Sequence, residues 1–275
     1  MADKRSPRKD PRRDNRRDPR EDLDNWKPKT EMGMKVKNKE ITEIDEILDK
    51  GYRILEPEIV DTLLNVESDL ILIGQSKGKF GGGQRRAFRQ TQKKTMEGNK
   101  PTFAAYAVVG NKDGFIGVGH GRSKETIPAR EKAVRNAKLH LFKIRRGSGS
   151  WEDAAAEPHS IPFAVEGKCG SVVVKLMPAP KGKGLVVDQE VAKILEMAGI
   201  KNCWAKTRGQ AKNKVNVIKA TEAALRQLAR MKIKHDQMEK FAIVEGAERK
   251  TAGDKDAEAA AAAETAEEPK EGEQA

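Results

Sequence analysis

At 275 residues the chain is long enough for two small globular domains with flexible ends left over. Its 54 Lys and Arg outweigh 42 Asp and Glu, a formal net charge of +12, and no apolar run approaches the roughly 18–20 residues of a membrane-spanning helix, so such a span is excluded. Residues 1–30 hold eleven Lys/Arg against seven Asp/Glu and residues 245–275 hold four against ten, which leaves the middle more basic than the whole and points to a polyanion, most often nucleic acid.

From Met1 to about Lys29 the sequence alternates Arg, Asp, Pro and Lys with almost nothing to bury. Such a segment cannot offset the entropy of ordering itself, so a disordered basic arm is predicted over residues 1–34. Arg and Asp also stand where a signal peptide needs an apolar core, and an intracellular, soluble protein is expected. Glu56 to Asn65 reads as a short helix, with Pro57 at its start and Ile59, Leu63 and Leu64 on one side. The apolar run Leu70–Ile73 and a basic loop, Gly78–Gly83, follow. Arg85–Lys94 and Thr102–Val109 look like strands joined by a long turn, Thr95–Pro101, and Asn111–Gly114 turns into a third strand, Phe115–Val118. Ser123 then caps a helix to about Phe142, with Ile127, Ala133, Val134, Ala137 and Leu141 on its core face. Helix, three antiparallel strands, helix is the order of a double-stranded-RNA-binding type domain, placed at residues 35–146.

Residues 147–159 form a connector. Ser160–Val165 and Ser171–Met177 read as strands around a turn at Glu166–Lys168, and Pro178-Ala179-Pro180 stops the second before an exposed basic loop, Lys181-Gly182-Lys183-Gly184. Asp188–Ala198 is a helix ended by Gly199, Asn202–Lys206 a short strand, and Val215 to about Met231 a long helix. The whole is α+β: the first domain is followed by a two-layer α/β domain at residues 160–245 and a disordered acidic tail at residues 246–275. Cys169 and Cys203 belong to no CxxC or His–Cys cluster, so free thiols are expected, with no metal site and no cofactor.

Cations carry the candidate chemistry. Lys77, Lys79, Arg85, Arg86, Arg89, Lys93, Lys94 and Lys100 cluster on and before the hairpin, where they can neutralise phosphates while glycines allow close backbone approach. Alternation sets Arg85, Ala87 and Arg89 on one strand face and Arg86, Phe88 and Gln90 on the other, so not every member can touch RNA. Arg122 and Lys124 stand at the start of the second helix and can meet phosphate there. Lys181, Lys183, Lys206 and Arg208, with Lys212 and Lys214, form a second basic set. Gly117–Gly121 has the wrong spacing for a nucleotide-binding loop and reads as a tight strand-to-helix turn; Gly78–Gly83 lacks the Gly-Lys-Ser/Thr ending of a phosphate loop. Trp204 is expected in the core, and His120 and His159 have no carboxylate or nucleophile partner at motif spacing, so no catalytic residue is assigned.

The motifs Val108-Val109-Gly110-Asn111, Gly117-Val118-Gly119-His120-Gly121, Pro158-His159-Ser160-Ile161-Pro162, Val165-Glu166-Gly167-Lys168-Cys169-Gly170-Ser171, Pro178–Leu185 and Leu195–Ile200 stand in one order. Together they resemble the universal fifth protein of the small ribosomal subunit, the S-five family, in its archaeal form, over roughly Lys35–Ile233. Two departures stand out: Asp153-Ala154-Ala155-Ala156 replaces the Cys residues that often follow the connector's Trp-Glu, and the loops Gly78–Gly83 and Met96–Pro101 are longer than in many relatives. The resemblance implies a non-enzymatic, cytoplasmic constituent of the ribosome that binds ribosomal RNA. It also implies a left-handed strand–helix–strand crossover, for which Ser171–Met177, Asp188–Ala198 and Asn202–Lys206 are the candidates. Further implications are a position near the mRNA entry side beside the fourth and eighth small-subunit proteins, and an influence on decoding accuracy; no membrane contact and no homo-oligomer are expected. Two other functions compete: a free double-stranded-RNA-binding factor, and, by analogy of fold alone, a small-molecule kinase.

Overall fold

A computed structural model describes residues 26–76, 85–153 and 157–247. The described residues fall into two compact units, one made of those up to Asn111 with Ile116–Phe142, the other of Lys112–Phe115 with those from Lys143 onward.

The first unit opens with three short helices, α1 (Glu31–Lys37), α2 (Ile44–Asp49) and α3 (Pro57–Leu63). The segment before and within α1 was expected in the disordered arm, and from Trp26 onward it is instead tied down. Buried Glu56 accepts hydrogen bonds from the backbone N–H of Lys29 (2.8 Å) and Thr30 (2.7 Å) and from Trp26 Nε1 (2.9 Å), while Thr30 Oγ1 caps α1 by accepting from Gly33 N. Strands β1 (Glu67–Ile71) and β2 (Arg89–Thr95) both pair antiparallel with the long β3 (Gly98–Gly110), β1 along its second half and β2 along its first. They therefore occupy one edge position in two pieces. β4 (Phe115–Ser123) pairs on the other side of β3, and a short β5 (Leu141–Lys143) follows it in the sheet.

Helix α4 (Thr126–Leu139) begins two residues later than Ser123 would cap it, behind Glu125. Its buried residues are Ala129, Ala133 and Ala137, whereas Ile127, expected in the core, is 69% exposed. The reason lies in β4. A Cβ on Gly117, Gly119 or Gly121 would stand 2.1–2.2 Å from the carbonyl oxygens of Ala137, Ala133 and Ala129. Alternate glycines of the strand and every fourth alanine of the helix thus let two backbones touch, and larger residues point away. Gly117–Gly121 is not the predicted turn; it is strand.

In the second unit the sheet runs β7 (Val165–Cys169), β8 (Val172–Pro178), β10 (Cys203–Arg208), β9 (Leu185–Val186). The predicted strand Ser160–Val165 is displaced: β7 starts at Val165, and the turn falls at Gly170-Ser171 rather than Glu166–Lys168. Helix α5 (Gln189–Met197) has the expected ends, with the Asp188 side chain accepting from Gln189 N and Gly199 at φ +82°. α6 (Lys214–Arg230) buries Val217, Ile218, Thr221, Ala224, Leu225 and Leu228, a helical stripe packed on β7 and β8, and its Ala220 carbonyl lies 2.0 Å from where a Gly167 Cβ would be. β8 and β10 are antiparallel, so they cannot frame the expected crossover. The parallel pair is β9 and β10, and the strand–helix–strand unit is β9–α5–β10. The chain closes through α7 (His235–Lys240) and a two-stranded ribbon of β6 (Arg145–Arg146) and β11 (Val244–Glu245). Of the predicted acidic tail only Gly246 and Ala247 are among the described residues.

Candidate nucleic-acid interface

The β2–β3 hairpin is a ribbon that leaves the sheet. Residues 89–94 and 96–101 are all exposed, and the turn is only two residues long, Met96-Glu97 between paired Thr95 and Gly98. The expected long loop over Thr95–Pro101 is therefore strand; Pro101 fits because β4 pairs with β3 only from Phe103 onward, leaving an open edge there. Register separates the cations. Lys93 stands opposite Lys100 and Arg89 opposite Ala104, which in turn faces Arg122 of β4, so these four cations share one face. Lys94, opposite Asn99, is on the other. Arg122 Nε and Nη2 donate to Thr102 Oγ1 (3.2 and 2.9 Å), and Lys100 pairs with Glu97 in the turn (2.6 Å) with both side chains more than half exposed.

At the ribbon's foot an open groove of about 590 Å³ is lined by Thr102, Arg122, Ser123, Lys124, Glu125, Pro128 and Lys132. It joins one hairpin strand to the start of α4, where free backbone N–H groups favour an anion. Lys132 was not singled out from the sequence; its i, i+4 spacing from Pro128 along α4 is the signal that placed it there. Arg85 bridges Ser76, and the Arg86 carbonyl accepts from Gly74 N, so both anchor the ribbon's base. Lys77 and Lys79 lie outside the described residues.

In the second unit Lys181 and Lys183 are exposed on a loop tied by three of its amides. Lys181 N donates to Asp153 Oδ1 (2.9 Å), Gly184 N to Asn202 Oδ1 (2.9 Å) and Ala179 N to Ser160 Oγ (3.3 Å). His159, expected without a carboxylate partner, lies buried with Nε2 3.1 Å from Asp153 Oδ2, and its Nδ1 meets Asn202 Nδ2 at 3.0 Å. The connector and Asn202 thereby hold a glycine-containing loop in one shape. Lys181 Nζ reaches Glu157 at 2.6 Å, and that cation holds the exposed Glu157 carboxyl below its ordinary range. Lys206 and Arg208 project from β10 and are exposed. Lys214 does not belong with them: its ammonium is enclosed by Asp188 (2.6 Å) and Glu190 (3.2 Å) at the start of α5. Trp204, expected in the core, is 37% exposed. Among the described residues no cluster of His, Cys, Asp and Glu could hold a metal ion, and both cysteines are free.

Comparison with known proteins follows these two units. Residues 85–145 match the family model described as ribosomal protein S5, N-terminal domain, and residues 167–239 match ribosomal protein S5, C-terminal domain. Curated relatives named small ribosomal subunit protein uS5 include that of Nanoarchaeum equitans, 49% identical over 212 residues (77% of this chain, 91% of the relative). That of Methanococcus maripaludis is 40% identical over 247 residues (90% and 99%), and that of Staphylothermus marinus 47% over 206 (75% and 90%). Identity of this depth, running through both units and nearly the full length of each relative, shows that the chain belongs to the ribosomal protein S5 family.

Proposed function

We propose that the chain is a structural constituent of the small ribosomal subunit in the cytoplasm, that it binds ribosomal RNA and neighbouring ribosomal proteins, and that it catalyses nothing. Family membership supports the assignment, and the observation that carries the RNA contact is the β2–β3 ribbon, a cationic hairpin exposed on both faces. An isolated two-stranded ribbon gains little stability on its own, so its length and charge make sense as a grip on phosphates. Arg89, Lys93, Lys100 and Arg122 supply the main face; Lys94, Arg85 and Arg86 flank it; Lys124 lies in the groove beside α4. Lys181, Lys183, Lys206 and Arg208 add a separate contact from the second unit, and several weak contacts on one polyanion give avidity.

The first unit works as a double-stranded-RNA-binding-like domain, with β1 and β2 together filling one strand position of the three, and β9–α5–β10 is the left-handed crossover. The neighbours are the fourth and eighth small-subunit proteins near the mRNA entry side, where the chain influences decoding accuracy without forming a homo-oligomer. Sedimentation of a native lysate before and after a high-salt wash tests the assignment. Retention in the small subunit through the wash is expected; release to the top of the gradient at modest salt would favour a free double-stranded-RNA-binding factor.

A further inference from the structure

Register lays out the outer face of the second sheet residue by residue. α6 covers the face of Gly167, Val172, Val174 and Leu176, so the alternate residues point outward. On β10 these are Trp204, Lys206 and Arg208, opposite Met177, Lys175 and Val173 of β8. Val186 of β9 stands beside Trp204, and Glu166 and Lys168 of β7 stand beside Lys175 and Val173. Val186 is 57% exposed, and Lys168, Lys206 and Arg208 are exposed as well.

The arrangement is costly for a solitary protein. Lys206 sits directly opposite Lys175, and like charges facing across strands destabilise a sheet. At the outward positions of these described strands there is one carboxylate, Glu166, which pairs with Lys175 at 3.0 Å, against four cations. Beside them Trp204 is 37% exposed and Val186 57%, while Val173 and Met177 are half-buried. A protein partner suits this face poorly, because buried interface centres are depleted in lysine, and here Lys175 and Lys206 hold the centre. An unpaired nucleic-acid strand suits both halves: bases stack on an aromatic ring whatever their sequence, and phosphates track the adjoining cations.

We infer that the open face of this sheet is a second RNA surface, one that takes an unpaired strand, with a base on Trp204 and successive phosphates at Lys206 and Arg208. From Trp204 to Arg208 the strand runs about 13 Å, which accommodates one stacked base and its flanking phosphates. The inference is independent of the ribbon-and-groove contacts proposed above; it rests on, and deepens, the contact proposed for Lys206 and Arg208 by naming the kind of strand they hold.

The test measures binding of the full chain to a fluorescein-labelled uridine decamer, and to a duplex RNA of about twenty base pairs, by anisotropy. Trp204→Ala should weaken decamer binding about tenfold, within the range reported for loss of one base–aromatic stack, and Trp204→Phe should restore most of it. Lys206→Gln with Arg208→Gln, which leaves the core untouched, should lower the decamer's salt slope by about 1.4. Duplex binding should change little in the tryptophan variants. Unchanged decamer affinity and slope would overturn the inference, as would crosslinking of Lys175 and Lys206 in purified subunits to protein instead of RNA. A chain that binds the duplex but not the decamer loses this surface and keeps the proposed function; one that binds neither loses both.

Discussion

The two faces of the β2–β3 ribbon offer a sharp test, because register and not charge density separates them. Lys93 and Lys100 are cross-strand partners on the face shared with Arg89 and Arg122, while Lys94, next in sequence, points the other way beside Asn99. If that face lies on RNA, Lys93→Gln with Lys100→Gln removes two phosphate contacts. Each contact on a duplex contributes about 0.9 to the slope of log affinity against log salt, so the pair should lower the slope by about 1.8. Between 50 and 200 mM salt the gap between wild type and variant should therefore narrow by about one log unit. The Lys100–Glu97 pair does not change this arithmetic, since an exposed ion pair is worth little and is readily exchanged for a phosphate. Lys94→Gln should leave the slope nearly unchanged. The assay is filter binding of small-subunit ribosomal RNA across a salt series, with thermal unfolding to confirm that each variant folds. An equal slope change from Lys94→Gln, or none from the double variant, would refute the one-faced contact.

Two further predictions concern stability and reactivity. Burial raises the Glu56 pKa, but hydrogen bonds from Lys29, Thr30 and Trp26 outweigh it and the net shift is downward from the ordinary 4.5. A folded value below the unfolded one means that the carboxylate stabilises above about pH 4.5 and that this contribution fades as pH falls through the folded value. Glu56→Ala should cost about 3 kcal/mol at neutral pH by urea unfolding, through the donors it leaves unpaired, with the difference from wild type shrinking in acid; a pH-independent difference would contradict it. Burial pushes the Cys203 thiol up to about 12. In the native protein a thiol-specific disulfide reagent at pH 8 should therefore label half-buried Cys169 first and Cys203 only on unfolding, and equal rates would count against the burial.

Much of the fold was legible where one local signal had one meaning. Pro57 at a helix start, Asp188 and Gly199 at the ends of α5 and the stripe of α6 each satisfy a local backbone or packing requirement. Glycine misled, because it answers two different needs. Gly167 and Gly117–Gly121 were read as turns, yet their strand neighbours continue in extended pairing and the glycines clear space for a helix backbone. The alanines opposite, Ala129, Ala133, Ala137, Ala220 and Ala224, carry the same information at i, i+4 spacing. Small residues at period two in a strand followed by small residues at period four in a helix mark a close strand–helix pair, and that joint pattern is visible only when both elements are considered together.

The site was legible as density and illegible as pairing. Lys206, Arg208, Lys212 and Lys214 looked equivalent along the chain, but Lys214 is closed off by Asp188 and Glu190, residues some two dozen positions away. Lys175 drew no attention, being a single lysine in an apolar strand, and Lys168 was read in a turn, yet the sheet sets Lys175 opposite Lys206 and puts Lys168 on the same face, across Val173 from Arg208. Trp204 was assigned to the core because its short strand was taken as buried. The second layer covers only one face, so the alternation that buries Cys203 necessarily turns Trp204 out. A cation's availability depends on where the fold delivers its nearest carboxylate, and an aromatic's exposure on how many layers cover its sheet. Both are consequences of long-range pairing, and for that reason the hairpin, whose pairing is local, could be traced as a cationic element from the sequence while the make-up of the outer sheet face could not.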